Sequence, residues 1–541
     1  MKRKIVSILL FAILVCLVLA GCKGQKTSES KKFSEDGEIT VTWWLMGGTD
    51  EYYQHYWKEM KSLQKIQEIT GINIDFQVAI NYDAYLPMMT AKTYPQILTA
   101  KNNERYAGRL AAMYSDGVSV SLNEYMDEYM PNFKAIVEEN PQIGRDLRLD
   151  DGTYSYLTRI YDTNDDKQRA LTSTYGLAIR KDWLDNVGMD IPENMEEWYR
   201  VLKAFKTQDP NGNGEADEEP YIACSSGWKY FLPAYGIDDD PSIMVNNEGK
   251  EYVVFGYTTE NYKAYLTEMN KWYTENLLYY MFDKVSLENQ RDRINGNFAG
   301  AWKGAIDHME EDVVDSNINI LREKSPDAKI AAVPWPKTPD GKRWCFSDIS
   351  SVHRDTTVIT SNAEKDGVAE ACAYLLDYML SEEGSTLLTW GIEGESYEVV
   401  GGEKQLMAGM DEMVDFHGKK ITTISLYADP TTIAFPTRGD IVADFILSQK
   451  SPEYVEACMT WAKGDTSYKV QQTCQLTVAM QEEVSTIEDE MKNYMTKMRQ
   501  RFVTGRVPLT NYDSYVEQAR LLGSETYTQI WQEAYDAYLA R

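Results

Sequence analysis

Between residues 209 and 219 the chain reads DPNGNGEADEE, which sets Asp209, Asn211, Asn213 and Asp217 at positions 1, 3, 5 and 9 of one loop with Gly214 at position 6. Calcium takes about six to eight hard oxygens at roughly 2.3–2.6 Å, and alternate residues of a tightly curled loop deliver them to one point. Gly214 permits the sharp turn this needs. The spacing is that of the first three quarters of an EF-hand-like loop. An EF-hand carries a bidentate Glu at position 12, whereas this chain has Pro220 there, so Glu218 or Glu219 must close the shell from an earlier place. The segment that follows, residues 221–224, reads as strand rather than helix. The expectation is a structural calcium site of a non-EF-hand type that pins a loop; the alternative is an acidic Asx-turn loop without metal.

The rest of the sequence is poor in catalytic signatures. It contains no HExxH, GxSxG or P-loop, the GxG at residues 212–214 lies inside the acidic loop, and His55, His308, His353 and His417 are scattered. A glycoside hydrolase needs only two carboxylates about 5–9.5 Å apart, and among 84 acidic residues a pair can always be nominated. That chemistry stays open as an alternative, although nothing specific supports it. Of seven cysteines, Cys224, Cys345, Cys372, Cys458 and Cys474 fall in the body of the chain at wide spacings. They match no zinc ribbon, redox pair or dense disulfide framework and are expected as buried thiols.

Lys2, Arg3 and Lys4 precede a 16-residue apolar run that ends in Leu19-Ala20-Gly21-Cys22. The run is shorter than the roughly 18–20 residues needed to span a bilayer and has small residues at its end, so it reads as a removed export signal. A leucine, two small residues and a cysteine resemble the bacterial lipobox, in which Cys22 is diacylated and becomes the N-terminus. The alternative is an ordinary secretory signal with an incidental cysteine. The predicted location is the extracellular face of the membrane, held by lipid alone. Net charge is −29, and loss of the signal's three basic residues takes it to −32. Such acidity opposes nucleic-acid binding and docking on anionic lipid.

Residues 23–37, KGQKTSESKKFSEDG, are polar and charged, as a flexible tether should be. Folded structure is predicted from residue 38. EITVTWWLM reads as a strand, residues 52–69 as a helix and GINIDFQVAI as a second strand, which implies a parallel pair with a crossover. Asn194 with Glu197 forms a capping-box pattern ahead of a helix whose Trp198, Val201, Leu202 and Phe205 share one face. Further helices are predicted over residues 260–278, with Trp272 on the apolar stripe, and through Ile487, Met491, Met495, Met498 and Phe502 to Gly505. A chain this long exceeds the roughly 250–300 residues at which one core stops growing, so two α/β lobes with helical additions are expected.

The stretch LAIRKDWLDNVGMDIPENMEEWYRVLKAFKTQDPNGNGEADEEPY resembles the extracellular solute-binding proteins, family 1, in their long lipoprotein branch, which includes alginate- and oligosaccharide-binding receptors of ABC importers. SLNEYMDEYMPNF, LDDGTYSYL, LDYMLSEEGSTLLTWGIEGESYEVV and the tail from residue 501 extend the likeness over most of residues 115–541. It implies a type II periplasmic-binding-protein fold, two α/β lobes joined by a hinge and closing on ligand, with no catalysis. In calcium-binding relatives the ligands correspond to Asp209, Asn211, Asn213, the carbonyl of Glu215, Asp217 and Glu218. Where relatives carry a small-Gly-Asp-x-Pro-Asp segment, this chain has AKTYPQIL, with Tyr94 and Gln96 in the acidic positions. The expected organisation is a signal peptide over 1–21, a lipidated tether over 22–37 and a first lobe over 38–160. A second lobe with the calcium loop covers 161–330, a return to the first lobe and hinge 331–420, and a helical part on the second lobe 421–541.

Sugar rings stack their C–H faces on aromatic planes while their hydroxyls take hydrogen bonds, and in this fold strand ends and hinge face the cleft. The ligand candidates are therefore Trp43 and Trp44 after the first strand, Trp228 after Ser225-Ser226-Gly227, Trp302 in FAGAWKG, and Trp390 before Gly391. Trp198 and Trp272 are assigned to packing, and Arg180 with Asp182 to a structural salt bridge. The expected function is capture of a carbohydrate, an oligosaccharide, by a monomeric lipid-anchored receptor that passes it to an ABC permease. Binding of peptides or another solute is the alternative within the same fold. The net acidity favours neutral or partly substituted sugars, since a polyuronate would need a locally basic cleft.

Overall fold

The run ITVTWWLM forms β1 (Ile39–Met46), and INIDFQVA forms β2 (Ile72–Ala79), in which Ile72, Ile74 and Phe76 are buried while Asn73, Asp75 and Gln77 are exposed. Such period-two alternation puts one face of an edge strand on the core. The computed structural model describes residues 32–34, 39–101, 105–239, 241–245, 248–309, 316–347, 349–431, 435–471 and 473–541. The export signal, Cys22 and nearly all of the predicted tether lie outside these residues. No helix among them is long and apolar enough to cross a membrane.

β1 and β2 pair in parallel, Ile39 opposite Ile72 through Met46 opposite Ala79. The single helix expected between them is two, Tyr53–Glu59 and Lys61–Thr70, because Met60 adopts an extended ψ of 121°; Gly71 then ends the second at φ 72°. β3 (Ile97–Ala100) lies on the other side of β1. In the second lobe follow β4 (Tyr175–Arg180), β5 (Glu219–Ile222), the hairpin of β6 (Pro241–Val245) and β7 (Glu251–Phe255), β8 (Ala299–Ala305) and β9 (Ile330–Val333). β10 (Thr356–Ile359) returns to the first. The two main sheets run β10-β3-β1-β2 and β5-β8-β4-β9.

Each sheet has its own core. One gathers Val41, Leu63, Ile97, Leu157, Val358, Leu376 and their neighbours, and the other gathers Leu177, Trp198, Phe231, Trp272, Val333 and Met491. The helix Met195–Thr207 begins as its sequence predicts: Asn194 Oδ1 accepts from the Glu197 N–H at 3.0 Å and Glu197 Oε2 from the Glu193 N–H at 2.8 Å. It buries Trp198 edge-on against Phe231, ring centroids 5.2 Å apart. Trp272, on the helix Glu260–Thr274, is buried in the same cluster. The long helix Val478–Val503 and the helices Tyr512–Leu521 and Ser524–Leu539 complete the second lobe. The five body cysteines are buried thiols.

Of residues 331–420, expected to return to the first lobe and hinge, Val333, Trp335, Cys345 and Ile349 pack in the second core. β9 pairs with β4 from Val333 opposite Leu177 to Ile330 opposite Arg180, and Trp335, Cys345 and Ile349 bury beside it. Conversely Phe435 sits in the first core. Among the described residues three segments cross between the lobes, and residues 160–161 bond both of the others. Ile160 N donates to Thr437 O, Gly439 N to Ile160 O at 2.7 Å, and Tyr161 N to Ser351 O at 2.8 Å. This small three-stranded crossing has the place and form of a hinge between the lobes.

Candidate functional site

The acidic loop starts where the helix Met195–Thr207 stops, with Asp209 at φ 47° and Gly212 and Gly214 at 66° and 80°. Asp209 Oδ1 accepts from the Asn213 N–H at 3.2 Å and its Oδ2 from the Gly214 N–H at 3.0 Å. Asn211 Oδ1 takes the Asn213 N–H, and Asn213 Oδ1 takes the Glu215 N–H at 2.7 Å. The loop thus curls around its own side-chain oxygens. Asp217 accepts from both asparagine amides at 3.1–3.3 Å. Asn211 also donates to the Asn297 carbonyl, and Asn297 Oδ1 accepts from Arg180 at 2.6 Å. The buried Arg180 forks onto Asp182 through two bonds of 2.9 and 2.6 Å, the structural pair expected.

Of the two glutamates able to close the loop, Glu219 meets Arg293 at 3.3 Å, though its Oε2 has no hydrogen-bond partner. Glu218 is 2% exposed, and its Oε1 has none either. Burial, with the nearby Asp217 and Asp209 charges, holds the Glu218 carboxyl above the usual carboxylate range, while Lys206 Nζ is bonded to the Glu218 carbonyl at 2.6 Å. A buried carboxylate oxygen without a partner is costly unless a cation meets it. Hard amide, carboxylate and carbonyl oxygens curled beside such an orphan fit calcium; the ion would be held by Asp209, Asn211, Asn213, Asp217, Glu218 and the Glu215 carbonyl.

The five tryptophans put forward as sugar platforms are at most 5% exposed, and the structure uses them for packing. Trp43 and Trp44 lie within β1 rather than after it. The helices covering both faces of a parallel strand bury both rings. Trp43 Nε1 donates to Thr99 Oγ1 at 2.9 Å with its ring on Phe76 and Phe435, and Trp44 packs on Tyr82 and Tyr85. The Arg499 guanidinium covers the Trp228 ring at 3.6 Å. Trp302 Nε1 donates to His308 Nδ1 at 3.0 Å. Trp390 meets Phe445 edge-on and lines a pocket of about 340 Å³ with Lys167, Glu403, Lys404 and Asp444. Tyr94 is buried, and Gln96 braces the first sheet by accepting from the Thr42 N–H at 2.7 Å.

One aromatic side chain stands open in the second lobe near the crossing. Tyr175, the first residue of β4 after the crossing, is 52% exposed, and Lys303 Nζ lies 5.0 Å from its ring and 5.7 Å from that of Tyr230. At the hinge, Arg159 is buried with Nε on Thr437 Oγ1 at 3.1 Å, and among the described residues it pairs with no carboxylate. His353 donates its backbone N–H to the Arg159 carbonyl. Burial, then the charges of Arg159, Arg354 and Lys101, push the His353 imidazole down to about 4, although Asp355 lies 3.7 Å away. Single arginines in ordinary contexts carried no signal of this clustering. It appears only when the crossing segments meet.

The family of bacterial extracellular solute-binding proteins matches residues 49–386. The chain belongs to that family. As a solute-binding protein it is non-catalytic, and its two-lobed α/β architecture is that of the periplasmic-type receptors. It is 24% identical to the fructooligosaccharide ABC transporter substrate-binding protein FusA of Streptococcus pneumoniae serotype 4, over 97% of this chain and 96% of that protein. It is 23% identical to the polygalacturonan/rhamnogalacturonan-binding protein YtcQ of Bacillus subtilis, over 98% of each. Among solved structures, an HMO-binding, ABC-transporter-associated solute-binding protein from Bifidobacterium longum infantis covers 93% of the chain and 99% of its own length at TM-score 0.64 and 19% identity. The alginate-binding protein AlgQ2, solved without calcium ion, covers 94% and 100% at TM-score 0.57 and 18% identity.

Proposed function

We propose that this solute-binding protein captures an oligosaccharide between its lobes and delivers it to the permease of an ABC importer, held at the outer face of the membrane by a lipid on Cys22. The observation that carries the reading is the pair of separate cores joined by three crossing segments, of which residues 160–161 bond both of the others, with the exposed Tyr175 following the first of them. Ligand that bridges the lobes stabilises closure by its extra affinity for the closed form. The likeness to carbohydrate receptors over nearly the whole chain supports a sugar as that ligand, and the unpartnered buried Glu218 oxygen beside the curled acidic loop supports calcium there. Diacylation of Cys22 would supply the two chains that stable anchoring requires.

The test is thermal unfolding of the chain from residue 23, with calcium, against neutral oligosaccharides, acidic oligosaccharides and peptides. Ligand at a hundred times its dissociation constant adds about 2.7 kcal/mol. A shift with one sugar class and intact sugar recovered afterwards is expected. Cleaved sugar would reveal a hydrolase, and a shift with peptides alone would overturn the carbohydrate reading.

A second reading concerns ligand charge. The charges of Lys101, Arg159 and Arg354 all act on His353 at the hinge, in a chain whose net charge is strongly negative, and an acidic sugar would answer Arg159, which pairs with no carboxylate among the described residues. On this reading Arg159→Gln raises the dissociation constant for an acidic oligosaccharide by roughly 30-fold or more, the loss typical of a truncated buried charge contact. Neutral sugars should change little. Selective binding of neutral sugars by the unaltered protein would remove this reading and leave the first intact.

A further inference from the structure

We propose that His55, Glu59 and His417 form a zinc site on the surface of the first lobe, separate from the acidic loop. The chain has four histidines, and the fold stacks two of them face to face, ring centroids 3.9 Å apart and planes 10° from parallel. His55 Nδ1 and His417 Nε2 each lie 3.1 Å from the same Glu59 Oε1. Among the described residues this is the group of three histidine or carboxylate ligand atoms that lie within 4.8 Å of one another. Two imidazoles and one carboxylate are a donor set suited to zinc, with water in the fourth position. Zinc–ligand bonds of roughly 2.0–2.1 Å put the edge of the coordination tetrahedron at about 3.3 Å, close to the spacings seen.

The frame that carries these donors is fixed from both sides. His55 and Glu59 are four apart on the helix Tyr53–Glu59, so they share a face. His417 occupies the turn of the hairpin formed by residues 413–416 and 419–422, at φ 48° followed by Gly418 at 80°. The hairpin is pinned to the same helix: Phe416 packs edge-on against Tyr52 and Tyr56, and Lys419 lies over the Tyr52 ring at 4.2 Å and pairs with Asp50 at 3.2 Å. Coordination holds a metal in the plane of each imidazole, so the rings must turn out of their stack to take it. Side-chain exposures of 40% and 34% for the two histidines leave them free to do so. Bound zinc would clamp the hairpin to the helix that follows β1, beside Gly47 and Gly48.

The experiment is titration of the mature chain, without added histidines and with calcium in excess, with zinc chloride and then cobalt chloride. One zinc per chain and a visible d–d band of four-coordinate cobalt are expected. His55→Ala, His417→Ala and Glu59→Gln should each weaken zinc binding by more than roughly tenfold while leaving the melting temperature in chelator unchanged. Zinc should raise the melting temperature of the parent and not of His417→Ala. No zinc taken up, or uptake equal in the parent and His417→Ala, would overturn the site and assign the His–Glu–His cluster to surface hydrogen bonding.

Discussion

Asp146→Ala is expected to loosen the C-terminal helix from the first lobe and to lower stability by about 3–5 kcal/mol, since hydrogen bonds to a charged group are worth about 1.5–3 kcal/mol each and are not fully additive. The carboxylate is 4% exposed near the end of the helix Pro141–Leu147, and side chains from four separate parts of the chain donate to it. Thr473 Oγ1 reaches its Oδ1 at 2.8 Å and Tyr538 OH at 2.6 Å, Ser351 Oγ reaches Oδ2 at 2.5 Å, and Gln142 Nε2 lies 3.2 Å from both. Removing the acceptor strands three hydroxyls where the lobes join. Asp146→Asn keeps the volume and one carbonyl acceptor and should cost about half as much. Because two lobes can unfold in separate steps, hydrogen exchange on residues 524–541 is the sharper readout. Protection there equal to that of the parent would show that Asp146 does not couple the lobes.

Chelation of calcium is expected to lower the melting temperature by several degrees. Bound ion at a thousandfold excess over its dissociation constant contributes about 4.1 kcal/mol, all of it lost when the ion is withdrawn. Asp209→Ala and Glu218→Gln should abolish the calcium-dependent shift. Glu219→Gln should keep it, because Glu219 already faces Arg293. The pH dependence follows from the Glu218 carboxyl. Its folded-state pKa is raised by burial and by Asp217 and Asp209, so in chelator the folded chain holds that proton more tightly than the unfolded chain. That contribution is complete below the ordinary glutamate value and is lost as pH rises through the raised one. Calcium stabilises the ionised form, so its effect should grow over the same interval. A calcium shift that survives Glu218→Gln would place the ion elsewhere.

Several features were legible residue by residue because they depend on neighbours in the chain. Asn194 caps its helix through the Glu197 N–H, Gly505 follows its helix with a left-handed dihedral, and Trp198 and Trp272 bury on the stripes that helical spacing assigns them. The acidic loop curls as its alternating Asp and Asn imply. The tryptophan candidates misled for the converse reason. A ring's exposure depends on what covers its strand or helix, and local sequence gave Trp302 no sign of its bond to His308 or Trp228 of the Arg499 cover.

Sequence alone determined the first strand pair, the capped helix after Asn194, the curl of the loop around Asp209 and the family likeness, since dihedral preference, capping and ligand spacing act within about a dozen residues. Tertiary structure decided which lobe holds β9, Trp335 and Cys345, that the Arg159 carbonyl meets the His353 N–H at the hinge, and that Glu59 meets His417 across 358 positions. These are encounters between segments distant in the chain. They are set by which faces two separate cores bury, a choice made by the whole chain at once rather than by any stretch of it.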